Sequence, residues 1–213
     1  MTDDRTTHWN NRYSGSAPDD LSWYEAFPAL SLSLIADATG PGAGVVDIGG
    51  GASRLPDALL DAGYHDITVL DLSAQALALS RARLGDRAGA VTWQVADVTG
   101  WQPTRRYDLW HDRAVFHFLT DVGDRAAYAR TLEAALAPGG TAILMTFADD
   151  GPEKCSGLPV QRYAPEDLVA EIDRLLPGLF EMRKTGRFAH ITPGGTEQRF
   201  QYVRFRRRNG TGG

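Results

Sequence analysis

The sequence contains a single cysteine, Cys155, among 213 residues. One cysteine excludes an internal disulfide framework and a metal site built from several cysteines. No apolar run approaches the roughly 18 residues that a membrane-spanning helix needs. The N-terminal stretch MTDDRTTHWNNRY also lacks the apolar core of a signal peptide. These absences predict a cytoplasmic protein with no membrane partner.

Positive charge is also scarce, because 22 Lys and Arg residues face 27 Asp and Glu residues and leave a formal net charge of -5. Without a global basic field we expect no nucleic-acid partner. The five histidines are scattered along the chain without the spacing of a ligand set, so we predict no bound metal. A chain of this length, 43% of it hydrophobic, suits one domain with one well-buried core.

From residue 45 onward, apolar strands alternate with segments whose apolar residues have helical spacing. The predicted strands are 45–48, 66–70, 91–98, 107–112 and 141–148. The predicted helices run from Ser53 to Gly63, from Ser73 to Gly85, over 113–119, and from Asp124 to a stop at Pro138 and Gly139. Nearly continuous apolar strands that alternate with helices indicate a parallel sheet covered on both faces.

The C-terminal third has a different pattern. A helix is predicted over residues 164–176, with Pro165 in its first turn. Residues 180–208 then alternate in the manner of two strands around a turn at Pro193 to Gly195, which predicts an antiparallel hairpin. The predicted fold class is therefore α/β: a Rossmann-like, seven-stranded, mostly parallel sheet with helices on both faces and a C-terminal antiparallel hairpin.

The stretch VVDIGGGASR, residues 45–54, carries the most specific signal. In an open α/β sheet, ligands bind outside the carboxyl ends of the strands, where the first turn is rich in glycine. The pattern here is Asp47-x-Gly49-x-Gly51-x-Ser53, which differs from the pyrophosphate-binding G-x-G-x-x-G by the acid at the strand end. That carboxylate repels a pyrophosphate and suits a positively charged ligand such as an ammonium or a sulfonium.

Two more acids follow the next two strands. Asp71 ends the second strand roughly 20 residues beyond the glycines, a position typical of an acid that binds a ribose diol. Asp97 ends the third strand, where it is placed to accept a hydrogen bond from an adenine amino group. The alternatives are that the glycines form a tight turn without a ligand and that Asp71 and Asp97 cap the helices that follow them.

At these residues the chain resembles the class I methyltransferases that use S-adenosylmethionine, over residues 9–147. Their pattern has a third glycine where this chain has Ser53. The resemblance implies that Gly49 and Gly51 let the backbone approach the methionine part of the cofactor. It also implies that Asp71 binds the ribose hydroxyls, that Asp97 holds the adenine amino group, and that two apolar residues flank the adenine, Leu72 and Val98.

A closer resemblance is to the small methyltransferase-like group that includes elongation-factor and citrate-synthase lysine methyltransferases. It rests on the stretches HWNNRYSGSAPDDLSWYEAF, DAGYHDITVLDLS and HDRAVFHFL. It implies that an aromatic N-terminal segment with Trp9, Tyr13 and Trp23 folds over the cofactor, although ordinary core packing explains these residues equally well. It also places Asp112 beside the reactive methyl. The group's signature acid-Lys-Gly-Thr-x-Asp is absent at that strand, which argues against lysine methylation.

Two histidines near the fourth strand are candidates for chemistry. Methyl transfer needs positioning and a deprotonated nucleophile in a dry pocket, and histidine accepts a proton near neutral pH. His117 is predicted to be catalytic together with Asp112, and His111 is predicted to lie at the cofactor site. The alternative for His117, between two phenylalanines, is a packed core residue.

The predicted organisation is an aromatic cap (1–40), a cofactor-binding core (41–150), a substrate-side loop, helix and hairpin (151–208) and a disordered tail (209–213). A small-molecule methyl acceptor is favoured, because the chain has no docking domain and the cap can enclose a compact pocket with the loop that carries Cys155, Arg162 and Tyr163. The alternatives are a protein-lysine N-methyltransferase and a non-catalytic nucleoside-binding protein. Cys155 itself is predicted to be an unreactive thiol, and the oligomeric state stays open.

Overall fold

A computed structural model describes residues 2–15 and 17–209 of the chain. Its strands are β1 (Val45–Ile48), β2 (Ile67–Asp71), β3 (Val91–Val95), β4 (Tyr107–Arg113), β5 (Leu136–Phe147), β6 (Lys154–Cys155), β7 (Leu158–Pro159), β8 (Phe180–Ile191) and β9 (Glu197–Arg207). Seven of them form one sheet in the order β3-β2-β1-β4-β5-β9-β8. The first five strands are parallel, and β9 and β8 are antiparallel. The predicted fold class, including its C-terminal hairpin, is confirmed.

Helices cover both faces of the sheet. They are α1 (Thr2–Ser14), α2 (Ala29–Ala36), α3 (Leu55–Asp61), α4 (Ala74–Leu84), α5 (Val122–Ala135) and α6 (Pro165–Leu175). Neighbouring residues of a strand point to opposite faces, so Trp110 of β4 packs with α5 and α6, whereas Leu109 packs with α2, α3 and α4. The sheet therefore has a hydrophobic core on each side.

The strand order reverses between β1 and β4, which is the switch point where an open α/β sheet forms a crevice. Local sequence sets the elements around it. The hydroxyl of Ser73 caps α4 by accepting the N–H of Ala76 at 3.1 Å, and Ser53 Oγ accepts the N–H of Leu55 at 3.0 Å as α3 begins. Ser73 therefore caps its helix as predicted, whereas Ser53 lies one residue before the N-cap of α3, which is Arg54.

Three segments differ from the sequence prediction. Strand β3 ends at Val95 instead of residue 98, so Asp97 lies in the loop that follows the strand. Residues 113–119 form only a three-residue 3-10 turn, Phe116–Phe118, in place of a helix. Helix α5 ends at Ala135 and β5 begins at the next residue, so Pro138 and Gly139 lie within a strand instead of closing a helix. A register shift in the pairing of β4 with β5 accommodates them, since a proline has no N–H to give a regular ladder.

The N-terminal segment lies over the carboxyl ends of the strands. Ser73 Oγ hydrogen-bonds Asn10 Oδ1 at 2.7 Å, and Arg5 forms an ion pair with Asp124. These contacts attach α1 to the ends of β2 and α5. None of the helices described is long and apolar enough to cross a membrane. Residues 210–213 of the predicted tail lie outside the described residues.

Candidate functional site

A cavity lies at the carboxyl ends of β1, β2, β3 and β4, beneath the N-terminal segment. Most of the residues predicted to bind a cofactor line it: Trp9, Tyr13, Trp23, Asp47, Gly49, Asp71, Leu72, Asp97, Val98 and His111. Of the other predicted residues, Gly51 lies behind the cavity lining, and Asp112 and His117 are fully buried away from it. The cavity thus unites all three of the predicted strand-end acids.

Residues 49 and 51 of the turn after β1 must be glycine because of their backbone conformation and their close neighbours. Gly49 has a φ of 64° and Gly51 a φ of 48°, a region that residues with a side chain rarely adopt. A Cβ on Gly49 would stand 2.1 Å from a methyl of Val115, and one on Gly51 would stand 2.5 Å from the hydroxyl of Tyr13. The space that these two glycines open is therefore filled by the protein's own side chains.

Asp47 has one oxygen bonded and one free. Its Oδ1 lies 2.7 Å from Nδ1 of His111, and Nε2 of His111 lies 3.0 Å from Oγ of Ser31. Its Oδ2 is buried and has no hydrogen-bond partner within residues 2–15 and 17–209. A buried carboxylate oxygen without a partner is costly, so the site fits a ligand that brings a positively charged donor such as an ammonium.

Asp71 and Asp97 each form a local hydrogen bond beside the cavity. Asp71 Oδ1 accepts the N–H of Ser73 at 2.7 Å, and Asp97 Oδ1 accepts the N–H and the hydroxyl of Thr99 at 2.9 and 2.7 Å. Burial raises the pKa of Asp71 to about 7, an effect that the nearby charge of Asp47 reinforces and the N–H of Ser73 reduces. The capping alternative and a ligand contact are therefore compatible, because both acids line the cavity.

This pKa predicts how cofactor affinity depends on pH. The resemblance implies that the ionised carboxylate accepts hydrogen bonds from the ribose hydroxyls of S-adenosylhomocysteine, so we expect binding to favour the deprotonated form. As pH falls below the free protein's value of about 7, we expect the dissociation constant of S-adenosylhomocysteine to rise by up to about tenfold per pH unit. Calorimetry across this range measures it. The Asp71→Asn variant is the control, since its affinity should be nearly independent of pH there, and a flat wild-type profile would contradict the prediction.

Asp112 lies behind the cavity wall, where it is fully buried. It accepts the hydroxyl of Tyr128 at 2.6 Å and the N–H groups of Val115 and Phe116 at 2.8 and 3.1 Å. Burial raises its pKa to about 6. The structure does not bring Asp112 to the reactive end of the cavity, because these contacts direct its carboxylate into the core. There it holds the turn after β4, including Ala114 with its φ of 75°.

His117 is likewise a core residue and not a group at the cavity. Its Nδ1 accepts the N–H of Phe147 at 3.1 Å, and its ring packs 4.6 Å from that of Phe118. Burial lowers its pKa to about 3, and the charge of Arg113 contributes. The residue is therefore neutral at pH 7 and out of reach of an acceptor, which favours the packing alternative over the predicted catalytic role.

Sequence reasoning missed an ion pair that lines the cavity. Arg113 donates from Nη1 to the carbonyl of Trp23 at 3.0 Å, and its Nη2 lies 3.1 Å from Oε1 of Glu25. Its guanidinium also stands 5.4 Å from the ring centre of Phe200. Arg113 follows Asp112 directly at the end of β4, a position that was available as a signal. Glu25 comes from the N-terminal segment, and no local pattern marks it.

Aromatic side chains from the N-terminal segment and from the turn after β4 wall the cavity. Trp9 meets Trp23 and Phe118 edge-on, with ring centres 5.8 and 5.2 Å apart. Tyr13 meets Trp23 in the same way at 5.9 Å. All four rings line the cavity. Edge-to-face contacts of this kind are favourable beyond the area they bury, so the aromatic cap forms an ordered wall.

Of the loop predicted to face the substrate, only Cys155 reaches the cavity. Burial raises the pKa of its thiol to about 11, so it is protonated at pH 7 and is no nucleophile. Arg162 instead donates to the carbonyl of Gly151 at 3.0 Å, and Tyr163 packs in the core against Phe116. The predicted roles of Arg162 and Tyr163 at the substrate are thus not supported by where the structure places them.

Known proteins share part of this sequence and most of its fold. Residues 46–142 match a family described as a methyltransferase domain. No curated protein matches the sequence significantly. The fold is shared with many solved structures. One, reported for the conversion of a disulfide bond into a thioacetal group during echinomycin biosynthesis, is 23% identical, with 97% of this chain and 94% of that chain covered and a TM-score of 0.74.

Two further structures are similar over most of their length. The 1,6-didemethyltoxoflavin-N1-methyltransferase of Burkholderia thailandensis, with bound 1,6-didemethyltoxoflavin and S-adenosylhomocysteine, is 18% identical, covers 98% of this chain and 87% of its own, and has a TM-score of 0.70. The glycopeptide N-methyltransferase MtfA, complexed with sinefungin, is 18% identical, covers 89% and 97%, and has a TM-score of 0.66. At these identities the likeness shows the fold. The family match covers residues 46–142, fewer than half of the 213 residues, and includes the glycine turn. Together with the shared fold, it supports an S-adenosylmethionine-dependent methyltransferase.

Proposed function

We propose that this methyltransferase acts on a small molecule, which binds at the β4 end of the cavity. The observation that carries the proposal is the aromatic wall of Trp9, Trp23 and Phe118, which encloses that end. A largely aromatic pocket with a few polar groups is typical of a small-molecule site.

The arrangement of the acids supports an assignment for each end of the cavity. Asp71 at the end of β2 and Asp97 just after β3 suit the ribose and adenine of the cofactor, and Asp47 near the end of β1 suits its ammonium. The cofactor supplies a methyl group on a positively charged sulfur. The acceptor is then left with the far side of β1, where Arg113, Phe118 and Cys155 line the cavity. These residues position the acceptor and exclude water.

Charge at the acceptor end favours a neutral molecule over a lysine side chain. The two charged groups there, Arg113 and Glu25, lie 3.1 Å apart and compensate each other. A lysine ammonium would therefore find no uncompensated carboxylate at this end of the cavity. The neighbours offer parallels, since one binds 1,6-didemethyltoxoflavin and another is a glycopeptide N-methyltransferase.

The acceptor atom must bring its own nucleophilicity. Among the described residues that line this end, no histidine has a free ring nitrogen, because both nitrogens of His111 are bonded. Burial raises the pKa of Glu25, but the hydrogen bond from His190 and the charge of Arg113 outweigh it and hold that pKa below its usual value. Glu25 is accordingly a weak base. An acceptor with an exposed lone pair at neutral pH, such as a neutral ring nitrogen or an aromatic amine, fits this site best.

The test is transfer of a labelled methyl group from S-adenosylmethionine into a cell extract. Relative to the extract without the enzyme, we expect a new labelled compound other than S-adenosylmethionine in the small-molecule fraction, and no additional label in protein bands. The Asp71→Ala variant, with its weakened cofactor site, is the matched control and should transfer far less at limiting cofactor. Label found only on protein lysines would overturn the proposal and support the lysine alternative.

A further inference from the structure

We infer that Ser31 and His111 are positioning residues that fix Asp47 for the ammonium group of the cofactor. The three residues are named the positioning triad here. They come from three separate elements, since Ser31 lies in α2, His111 in β4 and Asp47 in β1. The inference concerns the cofactor site and is independent of the identity of the acceptor.

The fold places the triad by register. Asp47 and His111 stand opposite each other in the parallel pair of β1 and β4, so their side chains project on the same face of the sheet. Helix α2 covers that face and presents Ser31. All three residues are less than 4% exposed, with Asp47 at 3% and His111 and Ser31 at 2%. Exclusion of water strengthens hydrogen bonds among such groups.

The hydrogen bonds fix which nitrogen of His111 carries a proton. An ionised carboxylate has no hydrogen, so the 2.7 Å contact with Asp47 Oδ1 requires a proton on Nδ1. In the neutral ring, Nε2 then accepts the hydroxyl of Ser31 at 3.0 Å. In the charged ring, Nε2 donates to Ser31 Oγ, and that hydroxyl turns to the sulfur of Met145, 3.9 Å away. Either protonation state keeps the donor on Asp47.

The hydrogen bond from His111 to Oδ1 of Asp47 also fixes the position of the second carboxylate oxygen, Oδ2. Oδ2 lies under the glycine turn, where a Cβ on Gly50 would stand 2.5 Å from it. It is buried and, within residues 2–15 and 17–209, it has no hydrogen-bond partner. A fixed carboxylate oxygen of this kind forms a strong, charge-assisted hydrogen bond with an ammonium. Without His111 the carboxylate can rotate and lose that orientation.

The experiment compares two ligands that differ in one part. S-adenosylhomocysteine and 5′-methylthioadenosine share the adenosine and the thioether, but only the first has the amino-acid group. Calorimetry at about pH 8 keeps Asp71 ionised. We expect His111→Leu to raise the dissociation constant of S-adenosylhomocysteine by about tenfold or more, because a charged hydrogen bond is lost. The dissociation constant of 5′-methylthioadenosine should stay within about twofold of the wild-type value.

Matched variants separate positioning from folding. Asn at residue 111 offers an N–H in place of Nδ1–H, so His111→Asn should retain most of the affinity for S-adenosylhomocysteine. Ser31→Ala should lower the affinity for that ligand less than His111→Leu does. His65→Leu, at an exposed histidine outside the cavity, should leave the affinity for both ligands unchanged. The inference would be overturned if His111→Leu lowered the affinity for both ligands equally, or if it lowered the affinity for neither.

A measurement on the wild-type protein tests the inference even if the His111→Leu variant does not fold. Nitrogen-15 NMR of the imidazole reports the tautomer of His111 directly. We expect a proton on Nδ1 with and without S-adenosylhomocysteine. A neutral ring protonated on Nε2 would contradict the triad, because Asp47 would then have lost its donor.

Discussion

Replacing Asp71 with alanine is expected to raise the dissociation constant of S-adenosylhomocysteine by about tenfold or more. The carboxylate ends β2 beside the cavity, and a lost hydrogen bond to a charged group costs about 1.5 to 3 kcal/mol. Calorimetry at about pH 8, where Asp71 is ionised, measures the change. The lost hydrogen bond is expected to involve the ribose, which 5′-methylthioadenosine also carries. Asp71→Ala should therefore raise the dissociation constants of both ligands equally, whereas His111→Leu should raise only that of S-adenosylhomocysteine.

Two controls make the result specific. Asp71→Asn keeps the shape and an oxygen for the N–H of Ser73, so it separates the loss of charge from the loss of the local hydrogen bond. A thermal melt shows whether each variant is folded. Unchanged affinity in a folded Asp71→Ala variant would remove Asp71 from the cofactor site, and a loss confined to S-adenosylhomocysteine would assign it to the amino-acid end instead.

Asp112→Ala is expected to lower the free energy of unfolding by about 3 kcal/mol. The substitution leaves three donors without a partner: the buried hydroxyl of Tyr128, the buried N–H group of Phe116 and the partly buried N–H group of Val115. Each such donor costs roughly 1 to 3 kcal/mol, and the contributions of one network do not add. Urea-induced unfolding followed by tryptophan fluorescence measures the change. A variant as stable as the wild type would contradict the structural role given to Asp112.

The pH dependence of that loss has a definite sign. Because burial raises the pKa of Asp112 to about 6 in the folded state, the folded protein binds more protons than the unfolded chain between about pH 4 and pH 6. The contribution of Asp112 to the free energy of unfolding is therefore complete below about pH 4 and falls as the pH rises towards 6. The penalty of Asp112→Ala should therefore be larger at the acid end of this interval than at neutral pH. Tyr128→Phe, which removes one of the donors and leaves the carboxylate, is the control and should cost less.

Much of the cofactor end could be predicted from short stretches of sequence. The glycine turn after β1, the acid that ends β2 and the acid just after β3 occur in order along the chain. Parallel strands bring their carboxyl ends to one edge of a sheet, so these residues must meet once the strands are recognised. The aromatic residues of the N-terminal segment were predicted to cover this edge, and Trp9, Tyr13 and Trp23 all line the cavity.

The acceptor end was much less accessible to sequence reasoning. His117 and Asp112 have the chemistry of catalytic groups, but both are fully buried. Burial depends on what packs around a residue, here Phe147 from β5 and Tyr128 from α5. The polar groups that do line this end include Glu25, which comes from an irregular segment and carries no motif.

The sequence by itself determined the class of fold, the position of the cofactor turn and the three acids around it, because those depend on local backbone preference and on strand order. Only the tertiary structure decided which polar groups face the cavity and which are buried, and it alone paired Ser31 with His111 and Glu25 with Arg113. Those pairs join residues far apart in the chain, and no local pattern encodes a contact that exists only after the sheet and its cap have packed together.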